Sequence, residues 1–254
     1  MDRLTHSLDR RIVIQAEPET VFRFFTGSER WARWWGAGST IDARPGGKML
    51  IRHPNGVEVS GDILEIDAPR RIVFTYGYAS GQPIPPGASR VTIWLEPHPR
   101  GTALSLTHEF AEESVRDQHI QGWRFQLSLF ANAVADEVNA RAAETVDGWF
   151  AAWSAGDESE RRQALAAVAA HGIRFSDRFS AIAGLEEAVA HIGAAQRFMP
   201  KMRLERRGDV RHCQGVVLAD WAAVGADGQS RGSGTNVFML GPDGLIEAVT
   251  GFWK

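Results

Sequence analysis

The side chains able to do acid–base or ligand chemistry fall into two groups along the chain. The first holds His53, Tyr76, Tyr78, His108, Glu109 and His119. His108, Glu109 and His119 would suffice for a metal site if three ligands converged. Their spacing matches no compact pattern such as His-Glu-x-x-His, so no metal is expected. A hydrogen-bonded His119 in a helix-to-sheet contact is the plainer reading. The second group is His212 and Asp220, which fall on neighbouring strands. Both could face one interior and form an acid–base pair, although a single bulge would break that parity. Cys213 has the opposite parity and no base beside it, which reads as an inert thiol. Trp31, Trp34 and Trp35 share one short segment, where three aromatic rings either wall a ligand cavity or seal a core. The basic run from Lys201 to Arg211 is offset by Glu205 and Asp209 and reads as a solvated strand edge. No phosphate-cradling glycine loop, nucleophile elbow or dinucleotide fingerprint occurs.

These residues need elements to position them. From Glu112 to Val138, the apolar residues Ile120, Trp123, Leu127, Phe130 and Val134 recur at steps of three and four, which predicts one long helix with a buried stripe. Gly122 inside it costs helix propensity and suggests a close approach of backbone or ligand. Before it lie short helices at 18–25 and 28–35, then strands at 11–15, 48–53, 57–66, 71–78, 90–96 and 102–110. The pair Asn55-Gly56 marks a hairpin. Val91, Ile93 and Leu95 share one face, as do Leu104, Leu106, His108 and Phe110, while Trp94 points the other way. Antiparallel strands curling around one long helix give an α+β helix-grip shape with a cavity between sheet and helix.

After Asn139 the composition turns alanine-rich. Helices are expected at 146–155, at 158–170 with a stop at His171-Gly172, and at 184–192. Strands are expected at 173–177, 203–214, 216–224, 232–240 and 245–253. At 254 residues the chain accommodates two domains, expected at 1–138 and 139–254. Apolar content of 44% and charged content of 23% are those of a globular protein. A net charge of −3 argues against nucleic-acid binding. One cysteine excludes an intrachain disulfide. Neither a signal peptide nor a membrane-spanning run is present, so a cytoplasmic protein without a membrane partner is expected. The nine tryptophans favour aromatic-walled cavities or interfaces.

Several spaced marks carry a resemblance. Glu17-Pro18-Glu19-Thr20-Val21-Phe22, Trp31, Trp34-Trp35-Gly36, Arg44-Pro45-Gly46-Gly47, Gly61, Asp67-Ala68-Pro69-Arg70-Arg71, Gly101-Thr102, His119 and Gly122-Trp123 resemble the START-like (SRPBCC) superfamily. The branch is the one named after activators of the Hsp90 chaperone ATPase. The resemblance implies a helix-grip fold with a hydrophobic cavity, bordered by Trp31, Trp34, Trp35, Tyr76, His108, His119 and Trp123. It also leaves open a chaperone-activator-like interaction module.

The second half resembles the SnoaL-like branch of the nuclear-transport-factor-2-like cone fold, which includes polyketide cyclases and ketosteroid isomerases. The marks are Trp149-Phe150-Ala151-Ala152-Trp153, Ala155-Gly156-Asp157, Phe175-Ser176-Asp177, Gly184, Trp221, Gly234-Thr235-Asn236-Val237-Phe238 and Asp243-Gly244-Leu245-Ile246. In the isomerases an aspartate after the first strand removes a proton beside a carbonyl, and a tyrosine and a second acid hold the oxyanion. By resemblance Asp177 matches the base, Asn236 the second acid and Trp149 the tyrosine. Asp177 could equally cap a turn. Trp153, His212 and Asp220 would complete a ligand site. The expected function is therefore binding of a small hydrophobic molecule in one or both cavities, without cofactor. A cofactor-independent isomerase, cyclase or dehydratase using Asp177 is the alternative. The cone fold also leaves room for a homodimer.

Overall fold

Period-two alternation of apolar residues makes the first half one antiparallel sheet. The structure, a computed structural model, describes residues 3–254. It divides into two compact units, one ending at Ala135 and the other running Asp136–Lys254. The first sheet contains β1 (His6–Ile14), β2 (Thr40–Ile41), β3 (Lys48–Arg52), β4 (Glu58–Asp67), β5 (Arg71–Tyr78), β6 (Ser89–His98) and β7 (Gly101–Phe110), in the order β1-β7-β6-β5-β4-β3-β2. Val91, Ile93 and Leu95 of β6 pair with His108, Leu106 and Leu104 of β7, and all six are buried. Trp94, of opposite parity, is exposed and carries the Arg71 guanidinium 4.6 Å from its ring centre. The two-residue strand β2 and the N-terminal extension of β1 from His6 lie beyond the expected set.

Two short helices, α1 (Pro18–Arg23) and α2 (Ser28–Trp35), precede the long helix α3 (Glu113–Val138). The buried face of α3 is Val115, His119, Trp123, Leu127, Phe130 and Val134. His119 takes the place expected of Ile120, which is only half-buried. Gly122 corrects its reading outright: it is exposed, and a Cβ there would meet nothing within 4 Å. Phe125, at 65% exposure, and Leu129 sit on the outer face. Gly61, by contrast, is demanded by the sheet. A Cβ at this position would stand 1.7 Å from the Thr75 carbonyl oxygen.

The tryptophans of α2, expected to wall a cavity, pack on one another and on the core. Trp34 meets Phe130 edge-on at 4.8 Å, Trp31 meets Phe74 at 6.0 Å, and Trp35 meets Trp123 at 5.7 Å. Phe25 stacks on Phe130 at 4.9 Å. Edge-to-face aromatic packing of this kind fills space at the density of a protein interior.

The second unit contains α4 (Ala142–Ser154), α5 (Glu158–Val168), β8 (Ala169–Ser176), β9 (Ala181–Ala183), α6 (Leu185–Phe198), β10 (Arg203–Cys213), β11 (Val216–Val224), β12 (Ser230–Leu240) and β13 (Ile246–Trp253). Its sheet has the order β10-β11-β12-β13-β8-β9, with one parallel pair, β13 and β8. An N-cap starts α5: Asp157 Oδ1 accepts from Glu160 N–H at 2.9 Å, and Glu160 Oε2 accepts from the N–H of Gly156, just before the cap, at 3.0 Å. The expected helix stop at His171-Gly172 is a correction. The helix ends at Val168, and both residues lie in β8, exposed, where the pairing with β13 shifts register between Ile246 and Ala248. A bulge of this kind reads in sequence like a glycine cap, because both need a small residue outside the core.

The two glycines separate helix propensity from steric demand. Gly122→Ala should raise stability by about 0.5–1 kcal/mol. Gly61→Ala should lower it by about 2 kcal/mol or more, because strand backbone cannot yield as a side chain does. Urea unfolding of the two variants measures both.

Candidate functional site

A cavity opens in the second unit between α6, the inner face of the sheet and the end of α4. Its interior volume is about 60 Å³, and it opens to solvent at its mouth. Strand parity decides what it contains. Phe175 points inward from β8, and Asp177, two residues on, follows it. Asn236 of β12 pairs with Gly251 of β13, and Trp221 of β11 pairs with Gly234. Trp153, Phe175, Trp221 and Trp253 supply aromatic walls, and Met199, Met202 and Leu204 supply aliphatic ones. A Cβ on Gly251 would stand 3.2 Å from both Asn236 Oδ1 and Asp177 Cβ, so the bare glycine is what lets acid and amide approach each other.

Both polar groups are fixed by indole donors. Trp253 Nε1–H donates to Asp177 Oδ2 at 3.1 Å, and the Phe179 amide donates to Oδ1 at 2.8 Å. Trp221 Nε1–H donates to Asn236 Oδ1 at 2.9 Å, which turns the Nδ2 donors away from that indole. Gln196 also borders the cavity, but its amide is committed to the Trp153 and Ala155 carbonyls at 2.8 and 3.0 Å. The groups with capacity left for a guest are therefore Asp177 and Asn236.

The structure separates other expected site residues from this cavity. Trp149 is 1% exposed, packs on Phe175 and Phe238, and does not line the cavity. Its indole N–H has no acceptor, and it cannot stand in for an oxyanion-holding tyrosine from this position. Trp153, one helical turn further along α4, does line the cavity. His212 and Asp220 do not form an acid–base pair. The sheet register shifts between Arg207 and Arg211, and His212 Nε2 accepts from the Gly215 amide at 3.0 Å, closing the β10–β11 turn. Asp220 pairs with Thr235, next to inward-facing Asn236, and so lies on the outer face. There the Thr235 hydroxyl and Lys254 hold its carboxyl below the usual carboxylate range. Trp253 was missed as a site residue. Its signal was available in the period of two that it shares with Val249 and Gly251 on β13.

In the first unit Tyr76, His108, His119 and Trp123 form a hydrogen-bonded network with Ser89 and Tyr78. His119 Nδ1–H donates to the Val115 carbonyl at 2.7 Å, so its Nε2 accepts from the Tyr78 hydroxyl at 3.1 Å. Trp123 Nε1–H donates to His108 Nδ1 at 2.9 Å, so His108 Nε2–H donates to Ser89 Oγ at 2.8 Å. The Ser89 hydroxyl in turn donates to the Tyr76 carbonyl at 2.8 Å. Each imidazole is thereby held neutral in one tautomer. Burial, then the neighbouring His119, pushes the His108 pKa well below its usual value, and burial lowers that of His119. His53 contacts the Trp35 ring at 5.7 Å and stands apart from this network. Among the described residues no three His, Cys, Asp or Glu side chains assemble as a metal-ligand set, and no helix is long and apolar enough to cross a membrane.

Residues 15–135 match the family described as Activator of Hsp90 ATPase homolog 1-like protein. No curated protein matches the sequence at a significant level. Among solved structures, the chain is similar to an isomerase candidate of the SnoaL-like family from Agrobacterium tumefaciens. The identity is 26%, with 46% of this chain and 98% of that chain covered and a TM-score of 0.43. It is also similar to Aha1 from Colwellia psychrerythraea, solved as a dimer, at 16% identity, 51% and 96% coverage and a TM-score of 0.45. CalU16 from Micromonospora echinospora gives 27% identity, 57% and 85% coverage and a TM-score of 0.41.

The buried imidazoles make the first unit sensitive to acid. An unfolded histidine takes up a proton near 6.5, whereas folded His108 resists it. The unfolded chain therefore binds more protons as pH falls, and stability present above that value is lost below it. The melting temperature should fall between about pH 7.5 and pH 5.5, and His108→Gln, which keeps one donor and one acceptor, should flatten the decline.

Proposed function

We propose that the second unit binds a small, largely apolar molecule, with Asp177 and Asn236 fixing its polar end. The observation that carries this reading is an aromatic cavity holding one carboxylate and one amide that keeps donors for a guest. Apolar walls supply affinity through area removed from water, and a few placed polar groups supply orientation. The Activator-of-Hsp90-ATPase-like first unit supports a helix-grip scaffold, but its aromatic interior is taken up by its own rings, so the guest is assigned to the second unit.

A second reading uses the same pair as catalyst. Asp177 would take a proton from carbon beside a ketone, and Asn236 Nδ2–H would hold the enolate oxygen. The juxtaposition of acid and amide around Gly251 favours it. The position of Trp149 removes the third partner that the isomerases use.

Quenching of tryptophan emission by a panel of neutral steroids, aromatic polyketides and fatty acids tests the binding reading, because three lining residues are tryptophans. Binding by at least one class is expected, and silence across the panel would sink the proposal. Asn236→Ala should weaken binding about tenfold, the equivalent of one hydrogen bond to a buried group. For the catalytic reading, Asp177→Asn should abolish turnover of an unsaturated ketone while leaving the melting temperature nearly unchanged. Activity that survives the substitution would exclude Asp177 as the base.

A further inference from the structure

We propose that the cavity of the second unit selects an amphiphilic amine, a guest with an apolar body and a single positive charge. The inference rests on the binding reading above and names the charge of the guest. Among the residues lining the cavity the one charged side chain is Asp177, and no Lys, Arg or His lines it. Each Asp177 oxygen accepts one N–H, which leaves lone pairs on both for a guest donor. No ion pair engages this carboxylate among the described residues.

The cations nearby are committed elsewhere. The Arg178 guanidinium lies over the Phe179 ring at 4.9 Å, and Arg161 reaches Gln196 Oε1 at 2.5 Å without lining the cavity. Lys254 binds Asp220 at 3.2 Å on the other face of the sheet.

The walls act in the same direction as the carboxylate. Trp221 and Trp253 stand at 87° with centroids 4.9 Å apart, and Trp153 and Phe175 meet at 5.8 Å. Aromatic faces attract cations through their quadrupole, and this attraction strengthens away from water. A cation in such a place needs a partner to offset its lost hydration, and Asp177 supplies it. A carboxylate guest would face Asp177 with only the Asn236 amide to receive it. A neutral alcohol or ketone would use the amide and forgo the charge.

Calorimetric titration of the full chain with four ligands of one skeleton tests this: 3-phenylpropylamine, its trimethylammonium derivative, 3-phenylpropan-1-ol and 3-phenylpropanoate. The amine should bind at least about tenfold more tightly than the alcohol, the sum of a cation–π and a charge-assisted contact. The trimethylammonium compound should also exceed the alcohol, and the carboxylate should bind most weakly. In Asp177→Asn the ratio of amine to alcohol affinity should fall toward one, and an unchanged circular dichroism spectrum reports that the variant is folded. Equal binding of amine and alcohol, or tightest binding by the carboxylate, overturns the charge preference and leaves the apolar-cavity reading intact. No binding by any of the four overturns both. The wild-type comparison decides the proposal even if the variant does not fold.

Discussion

Two indole N–H groups hold the polar end of the second unit in place. Trp221 donates to Asn236 and Trp253 donates to Asp177, and the two rings brace each other edge to face. This arrangement depends on a residue with no side chain. A Cβ at Gly234 would stand 2.2 Å from the Phe252 carbonyl oxygen and 2.5 Å from the Trp221 ring, so only glycine lets the indole lie flat across β12. With Trp221 in place, the Asn236 oxygen is occupied and its nitrogen is left for other partners. A buried amide with both ends free would be costly and would have no fixed orientation. The sequence from glycine to indole to amide is thus what turns an ordinary apolar interior into one with a defined polar end.

Legibility in the sequence followed the range of the interaction. Strand parity placed Val91, Ile93 and Leu95 on one face and Trp94 on the other, because period-two alternation is a local property. It failed where pairing was irregular. His212 pairs with inward-facing Val217 whereas Asp220 pairs with Thr235 on the outer face, and the bulge in β8 made His171-Gly172 resemble a helix stop. Tertiary reach was equally hidden. Trp149 and Trp253 are indistinguishable as residue types, yet one is sealed in the core and the other holds Asp177. Strand order decides this, and no short window of sequence contains strand order.

The first unit makes the complementary point. Its family pattern includes three tryptophans that a helix-grip fold can use to line a hollow. Here Phe25, Phe74 and Phe130 meet them at centroid distances of 4.8–6.0 Å. What remains polar inside is two runs of neutral hydrogen bonds, one from Tyr78 through His119 to the Val115 carbonyl and one from Trp123 through His108 to Ser89, with each proton assigned by its neighbour. Satisfied networks of this type specify one packing, because any alternative strands a donor or an acceptor.

The place of β13 in its sheet has a consequence for biosynthesis. It is the last strand in chain order, but it sits between β12 and β8, bonded antiparallel to one and parallel to the other. Until it has been translated and has inserted, β8 lacks its central neighbour, and Asp177 lacks the indole of Trp253. Pairings between distant parts of a chain form slowly, since loop closure must precede their reward. On the ribosome the first unit can therefore fold early, while the second remains an open half-sheet until its final residues emerge.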